Sequence, residues 1–299
     1  MTRTMRGDKT YLSFKNYGGS VQHYFHFLLG LLVPLVIRLE KTHRGANPSK
    51  FVIRSCGPMD RHLLSLGYPN LEIIPAFTHK FGAASVLGKI IGGETLLGFD
   101  AIERYDKSAL REAANIIKAR LNVKNGDGTG KPPRIIAINR SQDRFYNTRK
   151  SEIKDSGAQR RSIPNFGDLE KHLASICPNY NSIVLEQVSL MHQVEQFQNA
   201  DVVIAQHGAA LANILFCKSD AKIIEIAPPN PPEEFFARLA ECLGLNYCFY
   251  RQTSIHAEVN PHDIATLLNN EVAPHSALAM SSPATFYQQS LTESQTKTI

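Results

Sequence analysis

One stretch limits the possible folds more than any other: Asp201 to Pro229, DVVIAQHGAALANILFCKSDAKIIEIAPP. Asp201 to Ala205 is a short, apolar, β-branched run with the composition of a buried strand. Gln206-His207-Gly208 breaks that run. Residues 209–216 then combine helix formers with apolar side chains at helical spacing. Lys222 to Ile226 reads as a strand again, and Pro228-Pro229 stops it. Strand, glycine turn, helix and strand make a βαβ unit, which commits this part of the chain to a parallel sheet. In such a sheet the strand-to-helix turn faces the crevice where ligands bind. The N–H groups at a helix start favour an anion there.

The same alternation recurs along the chain. Residues 8–16 alternate like a strand, and Tyr17-Gly18-Gly19-Ser20 is a turn. Val21 to His26 leads into the apolar run FLLGLLVPLVI, which predicts a helix through Glu40, with Pro34 as a kink point. Phe51–Arg54 and Leu71–Pro75 read as strands, with a short helix near His62 to Leu66 between them. Residues 79–105 are rich in glycine and fit short strands or loops at a cleft. Ser108 to Leu121 is a helix, with Ser108 expected as its cap. After Asn125 to Pro133, NGDGTGKPP, the expected order is β-α-β-α-β-α-β-α. Its members are Arg134–Arg140, Phe166–Ile176, Ser182–Glu186, Ser189–Asn199, the opening stretch, Pro232–Leu243, Asn246–Tyr250 and Asn260–Asn270. NGDGTGKPP is a linker and not a phosphate loop: its spacing is one residue short, Pro132 stands where Ser or Thr is needed, and it precedes a strand. The expected fold is therefore α/β, with two Rossmann-like, doubly wound domains facing a central cleft. Residues 1–124 form the N-terminal domain, 125–133 a linker, 134–275 the C-terminal domain that holds the opening stretch, and 276–299 a polar tail.

A length of 299 residues suits two domains of ordinary size. The five cysteines are scattered and lack zinc spacing, which points to thiols in a reducing, cytoplasmic setting; a secreted chain with one disulfide is the alternative. The longest apolar run has eleven residues, short of the roughly 20 a membrane helix needs. No membrane span is expected in this chain, although it could be a piece of an anchored protein working in the Golgi or ER lumen.

The net charge of +6 is concentrated in one place: residues 131–161 hold nine Lys/Arg and three Asp/Glu. A local excess of this kind indicates an anionic ligand at one site. Arg140 at a strand end, Arg144 four residues on, and Arg160 and Arg161 are candidates to grip a diphosphate. Asn139 precedes Arg140. His207 with the amides of Gly208 and Ala209 could contact the same oxygens. Asn213, one turn into the helix, either holds the His207 turn or meets the ligand. Glu225 could accept from ribose hydroxyls, as acidic residues do in other nucleotide-binding sheets. No Asp-x-Asp pair occurs anywhere, so positive side chains and helix amides would carry the leaving-group charge without a metal or other cofactor. For a base, His26 stands first because histidine titrates near neutrality, His23 second, and Asp100, Glu94 and Glu103 third. A different nucleotide-dependent Rossmann enzyme is weakened by the lack of GxGxxG after the first strand. A non-catalytic nucleic-acid module is weakened by the scarcity of aromatic residues in 131–161. The lack of GxSxG weighs against a hydrolase.

QHGAALANILF followed by IIEI resembles the signature of glycosyltransferase family 61. Asn139-Arg140 through Arg144, then Arg160-Arg161-Ser162-Ile163-Pro164-Asn165, resembles that family's strand-end arginine, later arginine pair and following asparagine. His23-Tyr24-Phe25-His26-Phe27 resembles its N-terminal aromatic-histidine helix. The resemblance runs in order over about 20 to 230. It implies a GT-B fold, a UDP-sugar donor, inversion at the anomeric carbon, and transfer of xylose or N-acetylglucosamine (in some members arabinose) to a glycan or glycoprotein acceptor, with no nucleic-acid partner. Gly30 and apolar neighbours occupy the region where the family often has an Asp or Glu.

Overall fold

The computed structural model describes residues 9–43, 50–75, 93–124, 132–141, 157–229 and 234–269. Arg144, the 125–131 part of the linker, the glycine-rich residues 76–92 and the tail from 270 lie outside the described residues.

Two parallel sheets organise the chain. The first contains β1 (Lys9–Lys15), β2 (Lys50–Arg54), β3 (Leu71–Ile74) and β4 (Glu94–Leu97), in the order β3-β2-β1-β4. The second contains β5 (Ile135–Asn139), β6 (Tyr180–Val184), β7 (Val202–Gln206), β8 (Lys222–Ala227) and β9 (Asn246–Arg251), in the order β6-β5-β7-β8-β9. Every described strand pair is parallel. Both orders reverse direction once, as doubly wound α/β sheets do. The reversal falls between β1 and β4 in the first sheet and between β5 and β7 in the second. Ligand crevices of open α/β sheets form at the carboxyl ends of the strands flanking such a point.

The second sheet is covered on both faces, which its continuous apolar strands require. Ile135, Ala137, Ile204 and Ile224 pack under α4 (Phe166–Ile176) and α7 (Pro261–Asn269). Ile136, Ile138, Val203 and Ile223 pack on the opposite face, among residues of α5 (Leu190–Asn199) and α6 (Phe235–Leu243). That second core is continuous with the one beneath the first sheet, where α1 (Val33–His43), α2 (Asp60–Ser65) and α3 (Lys107–Arg120) sit. Arg111 on α3 helps tie the halves together by donating to the Cys217 and Leu243 carbonyls at 2.7 and 2.8 Å.

Three local expectations are corrected. The cap of α3 is Asp106, two residues earlier in the chain, and not Ser108: the Asp106 carboxylate accepts from the Ala109 N–H at 2.7 Å. The segment Ala209–Phe216 is a 3-10 helix and not an α-helix. Asn213 Nδ2 donates to the Ala210 carbonyl at 3.2 Å, and this local bond competes with the wider helical pattern. The strand expected to reach Glu186 ends at Val184, and Leu185–Gln187 turns as a short 3-10 segment.

The helix expected from Val21 begins at His26, and its first turns are π-helical over His26–Leu32 before α1 takes over. Two causes are visible. Pro34 has no N–H to give the Gly30 carbonyl. The Leu29 carbonyl accepts instead from the Phe99 N–H, at 2.8 Å, just after β4. The wider turn thus knits this helix to the end of β4, and Gly30 and Gly98 permit the approach. A β-carbon at Gly98 would lie 2.8 Å from both the α-carbon and the carbonyl oxygen of Gly30. Gly98→Ala should cost about 1–3 kcal/mol through overpacking. A urea unfolding midpoint unchanged from wild type would contradict this packing.

Candidate active site

The carboxyl ends of β5 and β7 carry the densest constellation of expected residues. Arg140 follows β5 directly. Its Nη2 donates to the His207 carbonyl at 2.6 Å and its Nη1 to the Gly157 carbonyl at 3.2 Å. Arg161 Nη1 donates to the same His207 carbonyl at 3.3 Å. One carbonyl at the end of β7 therefore gathers two guanidinium groups. Asn139 does not point to this carbonyl: its Oδ1 accepts from the Arg140 N–H at 2.8 Å and fixes the strand end.

Gly208 makes the convergence possible. A β-carbon there would lie 2.1 Å from Arg140 Nη2. Its backbone is extended, with φ 160° and ψ 179°, so the requirement for glycine comes from space and not from strain. The guanidinium lies where a side chain would otherwise be.

Burial lowers the Arg140 pKa to about 10, and the neighbouring Arg161 charge adds to the effect. Arg161 is lowered too, by burial first and then by Arg160. Burial raises the Glu186 carboxyl above its ordinary value, against the pull of Arg140 and Arg61. Positive charges are thus held close together at a cost, a condition that an arriving anion relieves.

His207 is fixed from behind. Its Nδ1 lies 2.5 Å from Glu225 Oε1, and Glu225 Oε2 accepts from the Tyr247 hydroxyl at 2.8 Å. The Phe236 ring meets the imidazole edge-on at 5.3 Å between centroids. Only 6% of His207 and 3% of Glu225 is exposed. Burial, then the Glu225 charge, pushes the Tyr247 hydroxyl well above the usual tyrosine range, so it remains a donor. The Glu225 carboxylate, expected to face a ribose, is engaged by His207 and Tyr247 in this structure.

Asn213 is fully buried. Its Oδ1 accepts from the Tyr24 hydroxyl at 2.7 Å, and its Nδ2 donates to Ala210 O and, at 3.4 Å, to Gln193 Oε1. It thereby locks the N-terminal aromatic segment to the His-Gly segment across 189 residues of sequence.

A cleft runs between these two segments. His23, Asn139, Arg140, Arg161, Gly208 and Ala209 line it, and so does Arg160. His26, His207, Asn213 and Glu225 stand outside that lining. Residues not singled out from sequence also reach it, among them Gln22, Tyr24, Glu186, Gln193 and Gln206. A signal for Gln193 existed, because it falls on the apolar face of α5 between Leu190 and Val194. Gln206 is 3% exposed; its Nε2 donates to Gln252 Oε1 at 2.7 Å and Ser162 O at 3.0 Å, while its Oε1 has no hydrogen-bond partner among the described residues.

A second constellation lies at the reversal of the first sheet. His26 Nδ1 is 2.6 Å from Asp100 Oδ2. The Tyr17 N–H meets both carboxylate oxygens, at 3.1 and 3.0 Å. The Asp100 side chain is completely buried, and 20% of the His26 side chain is exposed. Phe25 stands next to His26 and packs edge-on against Phe236, the ring that touches His207. Glu94 pairs instead with Arg38, at 2.8 Å, and Glu103 sits on a short 3-10 turn. Among the described residues no group of three or more His, Cys, Asp or Glu gathers as a metal site, and no helix is long and apolar enough to cross a membrane.

Two parallel sheets, each reversing once, with an arginine-lined crevice at the second reversal, define an α/β protein of the doubly wound class. The glycosyltransferase 61 family model matches residues 24–224, a span that includes His26, Asp100, Arg140, Arg161 and His207. The chain belongs to that family, and it is a glycosyltransferase acting on a donor and an acceptor. No curated protein matches the sequence.

Tyr24→Phe would leave the Asn213 carbonyl oxygen buried without its donor. The expected loss is about 1–3 kcal/mol of stability. An unchanged denaturation midpoint in the purified variant would show that the Tyr24 bond does not join the two segments.

Proposed function

We propose that the protein is an inverting glycosyltransferase that moves xylose or N-acetylglucosamine from a UDP-sugar to a glycan or glycoprotein acceptor. In this reading residues 1–124 take the acceptor and residues 134–275 the donor, with the cleft between them as the reaction site. The observation that carries the proposal is the meeting of Arg140 and Arg161 on the His207 carbonyl, beside Gly208, at the reversal of the second sheet. A guanidinium has five N–H donors, and the Arg140 bonds to His207 and Gly157 use two. The remaining donors of the arginines, with the Gly208 and Ala209 amides, suit the two phosphates of UDP. Arg144 belongs to the same proposal. In this arrangement His207, Glu225 and Asn213 support the phosphate site by holding the turn that presents it, and Asn139 orients Arg140.

The leaving UDP carries negative charge, which develops as the bond from the anomeric carbon to the phosphate oxygen breaks. Preorganised cations stabilise such charge without having to reorganise. The arginine cluster can fill the role that a metal held by an acidic pair fills elsewhere, so we propose metal-independent transfer. On the opposite side of the sugar, His26 Nε2 takes the proton of the acceptor hydroxyl as its oxygen bonds to the anomeric carbon. His23, which lines the donor cleft, contacts the donor.

Thermal-shift measurements with UDP, GDP, NAD and a short oligonucleotide test the ligand class. UDP should raise the melting temperature, because a ligand of the native state stabilises it. Stabilisation by NAD or oligonucleotide without UDP would overturn the proposal. Arg140→Ala should weaken UDP binding by about 10- to 100-fold, corresponding to a charge-assisted hydrogen bond of about 1.5–3 kcal/mol. Calorimetry reads this directly, and unchanged affinity would remove Arg140 from the site. UDP-sugar turnover should survive EDTA. Loss in EDTA that manganese restores would refute metal independence. A glycan array probed with several UDP-sugars identifies donor and acceptor.

A further inference from the structure

We infer that Asp100 is a positioning residue: it fixes His26 as the Nδ1–H tautomer, leaving the Nε2 lone pair as the base for the acceptor hydroxyl. This inference rests on the transferase reading and deepens it.

The geometry is specific. Asp100 Oδ2 lies 2.6 Å from His26 Nδ1, the distance of a charge-assisted hydrogen bond. The carboxylate has no exposed surface, so it is held where burial makes unmet hydrogen bonds expensive. Its partners are the Tyr17 N–H and the imidazole. A carboxylate accepting from Nδ1–H settles which ring nitrogen keeps the lone pair. Among the described residues Nε2 has no hydrogen-bond partner.

Three glycines clear the space for the pair. A β-carbon at Gly19 would lie 1.9 Å from His26 Nε2. One at Gly30 would lie 2.9 Å from Asp100 Oδ2, and one at Gly98 would lie 2.9 Å from Asp100 Oδ1. Gly30 stands one turn along from His26, where a helix-borne carboxylate could also have served. The chain instead brings the carboxylate from the segment after β4 into the room that Gly30 leaves. The π-helical turn completes the arrangement, because the Leu29 carbonyl that it frees binds the Phe99 N–H, next to Asp100 in sequence.

The chemical step balances without any further reactant. The acceptor oxygen forms its bond to the anomeric carbon while its proton passes to Nε2. The bond from the anomeric carbon to the phosphate oxygen breaks, and UDP leaves with the electron pair. Asp100 keeps its negative charge throughout and faces the imidazolium until that proton passes to water. A histidine with a second group orienting it is the arrangement that makes a side-chain base effective.

The test joins spectroscopy to kinetics. In the wild-type protein, nitrogen-15 NMR of labelled histidine at pH 8 should show His26 as the Nδ1–H tautomer. An Nε2–H tautomer would overturn the inference, whatever the variants do. In Asp100→Asn the side-chain amide can present a donor to Nδ1, and the Nε2–H form should appear. With UDP-xylose or UDP-N-acetylglucosamine as donor and the acceptor found on the array, kcat should fall about 100-fold or more, within the range of a general base. UDP affinity by calorimetry should stay within a factor of two, which also shows that the variant is folded. The double variant with His26→Gln should be no slower than His26→Gln alone, because Asp100 acts through His26. Additive losses would overturn the positioning role, and so would a wild-type rate in Asp100→Asn beside an inactive His26→Gln. Full activity in His26→Gln would remove the base itself and the inference with it, while leaving the donor site intact.

Discussion

The cleft at the second sheet's reversal depends on one contact, the guanidinium of Arg140 seated against the α-carbon of Gly208 and bonded to the His207 carbonyl. Burying a guanidinium is unfavourable unless its N–H groups find acceptors. Here the acceptors are backbone carbonyls from two separate segments, His207 at the end of β7 and Gly157 after β5. Carbonyls satisfy the hydrogen bonds without neutralising the positive charge, which the Glu186 carboxylate offsets only in part. Arg161 on the same carbonyl sharpens that imbalance. Positive charge held this close together is a condition that an anion relieves.

The two sheets solve the same problem in the same way. Each reverses strand order once, and each gathers its polar groups at that reversal. In each, a glycine admits a charged group to a place that a side chain would fill: Gly208 for Arg140, Gly30 for Asp100. In each, a histidine is paired through Nδ1 with a buried carboxylate, His207 with Glu225 and His26 with Asp100. Their exposure separates the two histidines. His207 is enclosed by Phe236 and Tyr247, and it works through its backbone carbonyl; His26 keeps a fifth of its side chain open. The Phe25–Phe236 contact and the Tyr24–Asn213 bond couple the two centres and hold them at a defined separation.

Much of this was legible in the residues. Period-two and continuous apolar runs mark every described strand except β4, because buried parallel strands have few alternatives to Val and Ile. β4 escaped notice because four residues among many glycines carry no period. The switch to a 3-10 helix over Ala209–Phe216 escaped it too, since apolar spacing does not separate short helical forms. Arg140, Arg161 and Gly208 stand out because charge clustering and a glycine after a buried strand are local signals. Gln206 and Glu186 carry no such signal, and Gln193 carries only its place on an apolar helix face; their roles come from which helix face or strand end meets the cleft.

The sequence alone determined the α/β class, the glycine turn after the buried strand at Val202–Gln206, the arginine-rich character of the site and the family. These are properties of short stretches, fixed by periodicity, charge and turn chemistry. Only the tertiary structure decided the partners. It turned Glu225 toward His207 and Tyr247, Asn213 toward Tyr24, and Asp100 toward His26. Those pairings span 18 to 189 residues. They exist because packing two twisted sheets onto a shared core brings distant strand ends together, and no local pattern records which buried carboxylate will meet which imidazole.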